Sequence, residues 1–102
     1  MIVVTGHIDF DPARRAEFLA ALEPLTKCSL ADPGCSQYTF SADLENPGRV
    51  HVVEQWESDE VMQAHMAAPH SAEFAKAMQS ICVRGVKVSK HDVTSSQPLF
   101  GG

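Results

Sequence analysis

Cations are scarce in this chain: 8 Lys and Arg stand against 13 Asp and Glu among 102 residues, a formal charge of −5 at pH 7. No basic stripe is interleaved with aromatics either, so an electrostatic grip on a phosphate backbone is excluded and no nucleic acid partner is expected. Long apolar runs are missing as well. The opening segment, Met1 to Asp9, has no basic leader and falls far short of the roughly 20 apolar residues that span a bilayer. It reads as neither a secretory signal nor a membrane span, and a cytoplasmic location with no membrane partner is expected. The three cysteines, Cys28, Cys35 and Cys82, form no C-x-x-C pair and cannot all be bridged within one chain, which suits a reducing compartment. None has a basic neighbour that marks a nucleophile, and phosphate-cradling glycine loops and G-x-S-x-G elbows are absent.

What remains is 44% hydrophobic and 21% charged, the balance of one small globular domain. Ile2, Val4, Ile8 and Phe10 alternate with Val3, Thr5, His7 and Asp9, which predicts a first strand. Gly6 interrupts its apolar face, where a missing side chain implies close approach of another group. Asp11-Pro12 begins a helix as cap and first residue, with Phe18, Leu22 and Leu25 along one stripe. Pro24 predicts a kink or restart in that helix. Asp32-Pro33-Gly34 turns the chain into a second strand, Cys35 to Leu44. Glu45-Asn46-Pro47-Gly48 is a hairpin turn, and a third strand runs from Arg49 to about Trp56. Ser58-Asp59-Glu60 opens a second helix that breaks near Ala68-Pro69-His70 and continues with Phe74, Met78 and Ile81 on one face. A last strand spans Arg84 to about Val93, with Val86 and Val88 in phase. Residues 94–102 form a polar tail with one apolar pair, Leu99-Phe100, so the domain is 1–93.

The predicted order, strand, helix, strand, strand, helix, strand, is the α+β ferredoxin-like plan, with both helices on one face of an antiparallel four-stranded sheet. The other face, carrying Val3, Cys35, Val53 and Val93 among polar residues, is left bare. A homodimer that covers it is expected, with Leu99-Phe100 reaching toward the partner.

Glu54 is the anomaly, a carboxylate in the apolar phase of the third strand between Val52 and Trp56. Buried unpaired, it would cost several kcal/mol or titrate high, so it requires a cation, a histidine or a donor. A structural carboxylate tied to the backbone or an arginine satisfies this, and so does a proton-handling or ligand-orienting group. Trp56, the only tryptophan, points the same way as core, as pocket wall or as indole donor. His65 follows on the inner part of the second helix, and imidazole can take a proton from an enol or phenol and return it. A histidine hydrogen-bonded at the helix break is the simpler alternative. His70 is expected to cap the second helical piece. Its spacing of five from His65, across a proline, is not the i, i+4 arrangement of a zinc helix, so no metal is expected. His7, His51 and His91 fall in polar phases. Met62, Met66 and Met78 read first as core filler, though methionine also suits an adaptable pocket.

Asp32-Pro33-Gly34-Cys35 with Tyr38, then Glu54-x-Trp56-x-Ser58, then His65, Pro69-His70 and Phe74, together resemble the antibiotic biosynthesis monooxygenase (ABM) domain family over residues 2 to 92. The usual turn of that family has Glu where Asp32 stands. The resemblance implies a dimeric α/β barrel with a pocket between sheet and helices in each subunit. It also implies, for some members, oxidation of quinols or polycyclic phenols by molecular oxygen without cofactor. On that reading His65 is the base, Trp56 and Tyr38 are donors and walls, and Glu54 fixes a donor or histidine. Gly6, Met62, His70, Phe74 and Met78 bind the small aromatic substrate. Haem-degrading relatives use a first-strand Asn where this chain has Gly6-His7. Another branch isomerises a small phosphorylated signalling diketone and shares the His65 and Pro69-His70 pattern. A non-catalytic ligand-binding dimer is the third possibility.

Overall fold

The computed structural model describes residues 1–81 and 83–102, so Cys82 lies outside the described residues. Strand β1 (Ile2–Phe10) leads through a short 3-10 turn (Pro12–Arg14) into helix α1 (Arg15–Ala31). Strands β2 (Cys35–Ala42) and β3 (Arg49–Trp56), helices α2 (Asp59–Met66) and α3 (Pro69–Ser80) and strand β4 (Val83–Asp92) follow. The sheet order is β2-β3-β1-β4, and β1 pairs antiparallel with β3 and β4, as does β2 with β3. This is the expected α+β ferredoxin-like fold. The shortest dimension, 20 Å, holds one sheet and one helical layer, so one sheet face has no helix upon it.

Local chemistry explains the boundaries. Asp11 accepts from the Ala13 N–H, but it caps the 3-10 turn rather than α1 itself. Pro24 does not restart α1. Phe18, Leu22, Leu25 and Ser29 bury the same stripe on both sides of it, and that packing carries the helix past one missing N–H. Ser58 accepts from the Val61 N–H to start α2, and Asp59 and Glu60 complement its dipole. The break at Ala68-Pro69 falls where expected.

The core has two centres. Ile8, Phe10, Phe18, Leu22, Val50 and Ile81 form one, with Phe10 and Phe18 stacked at 4.2 Å. Ile2, Val4, Leu25, Tyr38, Trp56 and Met62 form the other, with Phe40 and Phe74 packed against both.

Three expected placements are corrected. Cys35 does not lie on the bare face, because a register shift between Cys35 and Gln37 sets it opposite Trp56, packed on the second centre. Leu44 lies beyond β2 and is fully exposed. Met66 is 61% exposed and fills no core, since α2 turns that side outward before its break.

The helix-free face presents Val3, Thr5 and His7 of β1 opposite Gln55, Val53 and His51 of β3. Strand β4 is an edge exposed along nearly its whole length, and Leu99 and Phe100 of the tail are exposed too. Val86 and Val88 pair with Ile8 and Gly6 and so stand on the helix side of the sheet, yet they are 65% and 40% exposed. The helical layer stops short of them, leaving an apolar shelf beside Gly6. Among the described residues no helix is long and apolar enough to cross a membrane.

Candidate active site

The second core centre concentrates the polar chemistry of the helix-covered face. Strand register places Tyr38, Glu54, Val4 and Lys90 in one row across the sheet and Cys35, Trp56 and Ile2 in the next. Helix α2 then lays His65, 7% exposed, over this corner. The His65 ring centroid lies 4.5 Å from that of Trp56 and 5.4 Å from that of Tyr38. Trp56, with no exposed surface, donates its indole N–H to Glu54 Oε1 at 2.9 Å. The anomalous carboxylate therefore has the donor its burial demands. Burial pushes the Glu54 carboxyl above the usual glutamate range, and the Trp56 N–H and the nearby His65 offset part of that rise. Burial also drives the Tyr38 phenol far up, with the Glu54 charge adding to the effect and the Ser29 hydroxyl opposing it. Tyr38 is a neutral donor here, not a base. The Cys35 thiol is likewise raised by burial, which argues against a nucleophilic thiolate.

A residue without an assigned chemical role in the sequence completes the arrangement. Asp32, at the C-terminal end of α1, sets Oδ2 3.1 Å from His65 Nδ1. His70 does not cap α3. The cap residue is Ala68, and the Ser71 hydroxyl instead donates to the His65 carbonyl at 2.7 Å, which ties the two helices together. That turn swings His70 Nε2 to 3.3 Å from His65 Nδ1 and 3.5 Å from Asp32 Oδ2. Among the described residues no buried side-chain nitrogen or oxygen lacks a partner, and only Nδ1 of His65 is bonded. Its Nε2 therefore retains access to solvent.

Of the remaining candidates, Met62 is buried within the same centre and Phe74 packs on its rim. Gly6 lies next along the sheet, between Val52 and Val88, where an added Cβ would sit 2.5 Å from Val88 Cα and closer still to the Lys87 carbonyl. The close approach implied by the sequence is that of β4 itself. Met78 packs on the other core centre. His51 and His91 bond Asp43 and Thr5 on the helix-free face, away from this corner.

Glu54, Trp56 and His65 form one contiguous cluster, but the surrounding cavities touch it piecemeal. Trp56 lines a hollow of about 380 Å³ with Met1, Gly34 and Cys35. Asp32 and His65 line one of about 230 Å³, and His70 and Phe74 another of about 230 Å³. A further cleft of about 390 Å³ runs between α1 and β2 and touches the cluster through Tyr38. It is broad and apolar, and the chemistry lies with the polar cluster instead.

Comparison with known proteins agrees with this architecture. The sequence model of the antibiotic biosynthesis monooxygenase family matches residues 1–77. A Synechocystis protein of uncharacterised role, sll1783, is 24% identical over 98 residues, 96% of this chain and 67% of the relative. The Bacillus subtilis protein named "Putative monooxygenase YcnE" is 28% identical over 74 residues, 72% of this chain and 78% of the relative. A crystal structure from Deinococcus radiodurans superposes with a TM-score of 0.92 at 22% identity, covering 99% of this chain and 100% of that one.

Proposed function

The chain belongs to the antibiotic biosynthesis monooxygenase family, and from that membership and the corner just described we propose a cofactor-independent monooxygenase that oxidises a quinol-like or phenolic small molecule with molecular oxygen. One observation carries the reading: His65 is held at Nδ1 by Asp32 inside an aromatic, largely dry cluster, while its Nε2 stays accessible.

A quinol needs little from the protein. Loss of a hydroxyl proton makes an anion rich enough in electrons to reduce oxygen itself. In the balanced reaction, hydroquinone and oxygen give hydroxyquinone and water: one oxygen atom enters the ring and the other leaves as water. His65 Nε2 takes the hydroxyl proton, and Asp32 keeps the imidazole oriented and stabilises the imidazolium. Trp56 and Tyr38 supply flat walls that exclude water around the anion. Glu54 fixes the indole through its N–H. The exposed Val86 and Val88 beside Gly6 offer apolar surface for the rest of the ring system.

We also propose that the active form is a homodimer closed over the helix-free sheet face. The half-buried Val3 and Val53 of that face, and the exposure of β4 and of Leu99-Phe100, support it.

Oxygen-electrode assays of chelator-treated protein with a panel of hydroquinones and phenols test the activity. Oxygen uptake matched one to one by hydroxylated quinone, and no product under anaerobiosis, is the expected result. Turnover without oxygen would place the protein with the isomerising branch instead.

A further inference from the structure

We propose that Asp32, His65 and His70 form a binding site for one divalent first-row transition ion, zinc in the first instance, with three protein ligands and one open position. The three potential ligand atoms, Asp32 Oδ2, His65 Nδ1 and His70 Nε2, stand 3.1, 3.3 and 3.5 Å apart. Donors at the corners of a tetrahedron with metal–ligand bonds of about 2.0–2.1 Å lie about 3.3 Å from one another. The observed triangle thus has the dimensions of one face of a tetrahedral site.

No single placement of the protons gives all three pairs of this triangle a good hydrogen bond at once. A proton on His65 Nδ1 that points at Asp32 leaves the His70 Nε2 lone pair without a donor. A proton on His70 Nε2 that points at His65 leaves an imidazole lone pair facing a carboxylate at 3.1 Å. With both nitrogens protonated, two N–H groups face each other at 3.3 Å and His70 reaches the carboxylate only at 3.5 Å. A divalent cation accepts all three lone pairs together. The two imidazoles are borderline nitrogen donors, and with one carboxylate they suit zinc, cobalt or iron(II) rather than calcium or magnesium, which take oxygen ligands.

The framework is built to hold the geometry. Asp32 is pinned at the end of α1, where its own N–H bonds the Ser29 carbonyl at 3.1 Å and its carbonyl accepts from Cys35 at 3.3 Å. The helix break fixes His65 against His70 through Ser71. The hollows beside Asp32 and His65 and beside His70 give entry. A metal on Nδ1 also confines the His65 proton to Nε2, so an occupied site removes the base of the proposed reaction. The site itself stands on geometry and does not rest on that reaction.

Chelator-stripped full-length protein titrated with Co²⁺, followed by visible absorption and calorimetry, tests the proposal. Saturation at one equivalent per chain is expected, with the intense visible bands of a four- or five-coordinate ion and their displacement by Zn²⁺. Asp32→Ala and His70→Ala should each weaken binding at least tenfold, while His51→Ala leaves it unchanged. Zn²⁺ should raise the Tm of the wild-type protein and not that of His70→Ala, a readout that also shows the variant to be folded. Weak octahedral bands, no saturation at one equivalent, or full binding by folded Asp32→Ala and His70→Ala would overturn the site. These readouts use no substrate, so inactivity toward quinols leaves them unaffected.

Discussion

The pairing of Trp56 with Glu54 yields the most detailed expectation. Trp56→Phe keeps an aromatic ring in a position with no exposed surface but removes the N–H that Glu54 Oε1 accepts at 2.9 Å. Leaving a buried acceptor unpaired costs about 1–3 kcal/mol, and the partial access of this carboxyl favours the lower part of that range. Loss of roughly 40 Å³ of indole volume, at about 24 cal/mol per Å³, adds about 1 kcal/mol. A total near 2–3 kcal/mol corresponds to a fall in Tm of about 10–20 °C for a domain of this size. The two parts separate by pH. The Glu54 carboxyl titrates above its ordinary value of 4.5, so its neutral form stabilises the fold below that pH, and the contribution is lost as pH rises through the folded-state value. Removal of the indole donor raises that value further. The cost of Trp56→Phe should therefore grow with pH above 4.5 and shrink below it, whereas the volume loss is indifferent to pH. In a Glu54→Gln background the dependence should vanish. Urea titrations of the four proteins at fixed concentration measure this. A cost of about 1 kcal/mol that is equal at low and neutral pH, the cavity cost alone, would refute the coupling.

Gly6→Ala pushes a methyl group into the Lys87 carbonyl and Val88 Cα of β4, and overpacking against backbone should cost at least about 3 kcal/mol, read as a lowered urea midpoint. Asp43 is held to a pKa of about 2, first by its hydrogen bond with His51 and then by the Glu45 and Asn46 N–H groups. Its folded value lies below the ordinary 3.8, so the stability it contributes is present above that pH and is lost as pH falls toward 2. Asp43→Asn should flatten that part of the acid-unfolding curve. Light scattering should give twice the chain mass, and Val53→Lys on the helix-free face should return the monomer with its helix content intact.

Much of this architecture was legible in the residues. Period-two alternation placed all four strands, and Gly6 announced a close approach that β4 makes. Glu54 stood out as a carboxylate in an apolar phase, and its partner lies two residues away on the same strand. What escaped was non-local. The spacing of His65 and His70 spoke only for an unbroken helix, whereas the turn at Ala68-Pro69 returns the second ring to the first. Asp32 looked like a turn residue. Its signal was electrostatic: a carboxylate at a helix C-terminus opposes the dipole and needs a compensating partner, which His65 supplies. The bulge that turns Cys35 inward leaves no mark in the alternation. The shelf at Val86 and Val88 depends on where the helical layer ends, a property of packing and not of local sequence.

The central claim is that His65, oriented by Asp32, takes the substrate proton. Turnover by His65→Ala, with and without added imidazole, tests it most directly. Loss of a positioned general base should lower kcat about 10²–10⁴-fold, and imidazole entering the vacated space should restore part of it. An unchanged kcat in the folded variant would contradict the account.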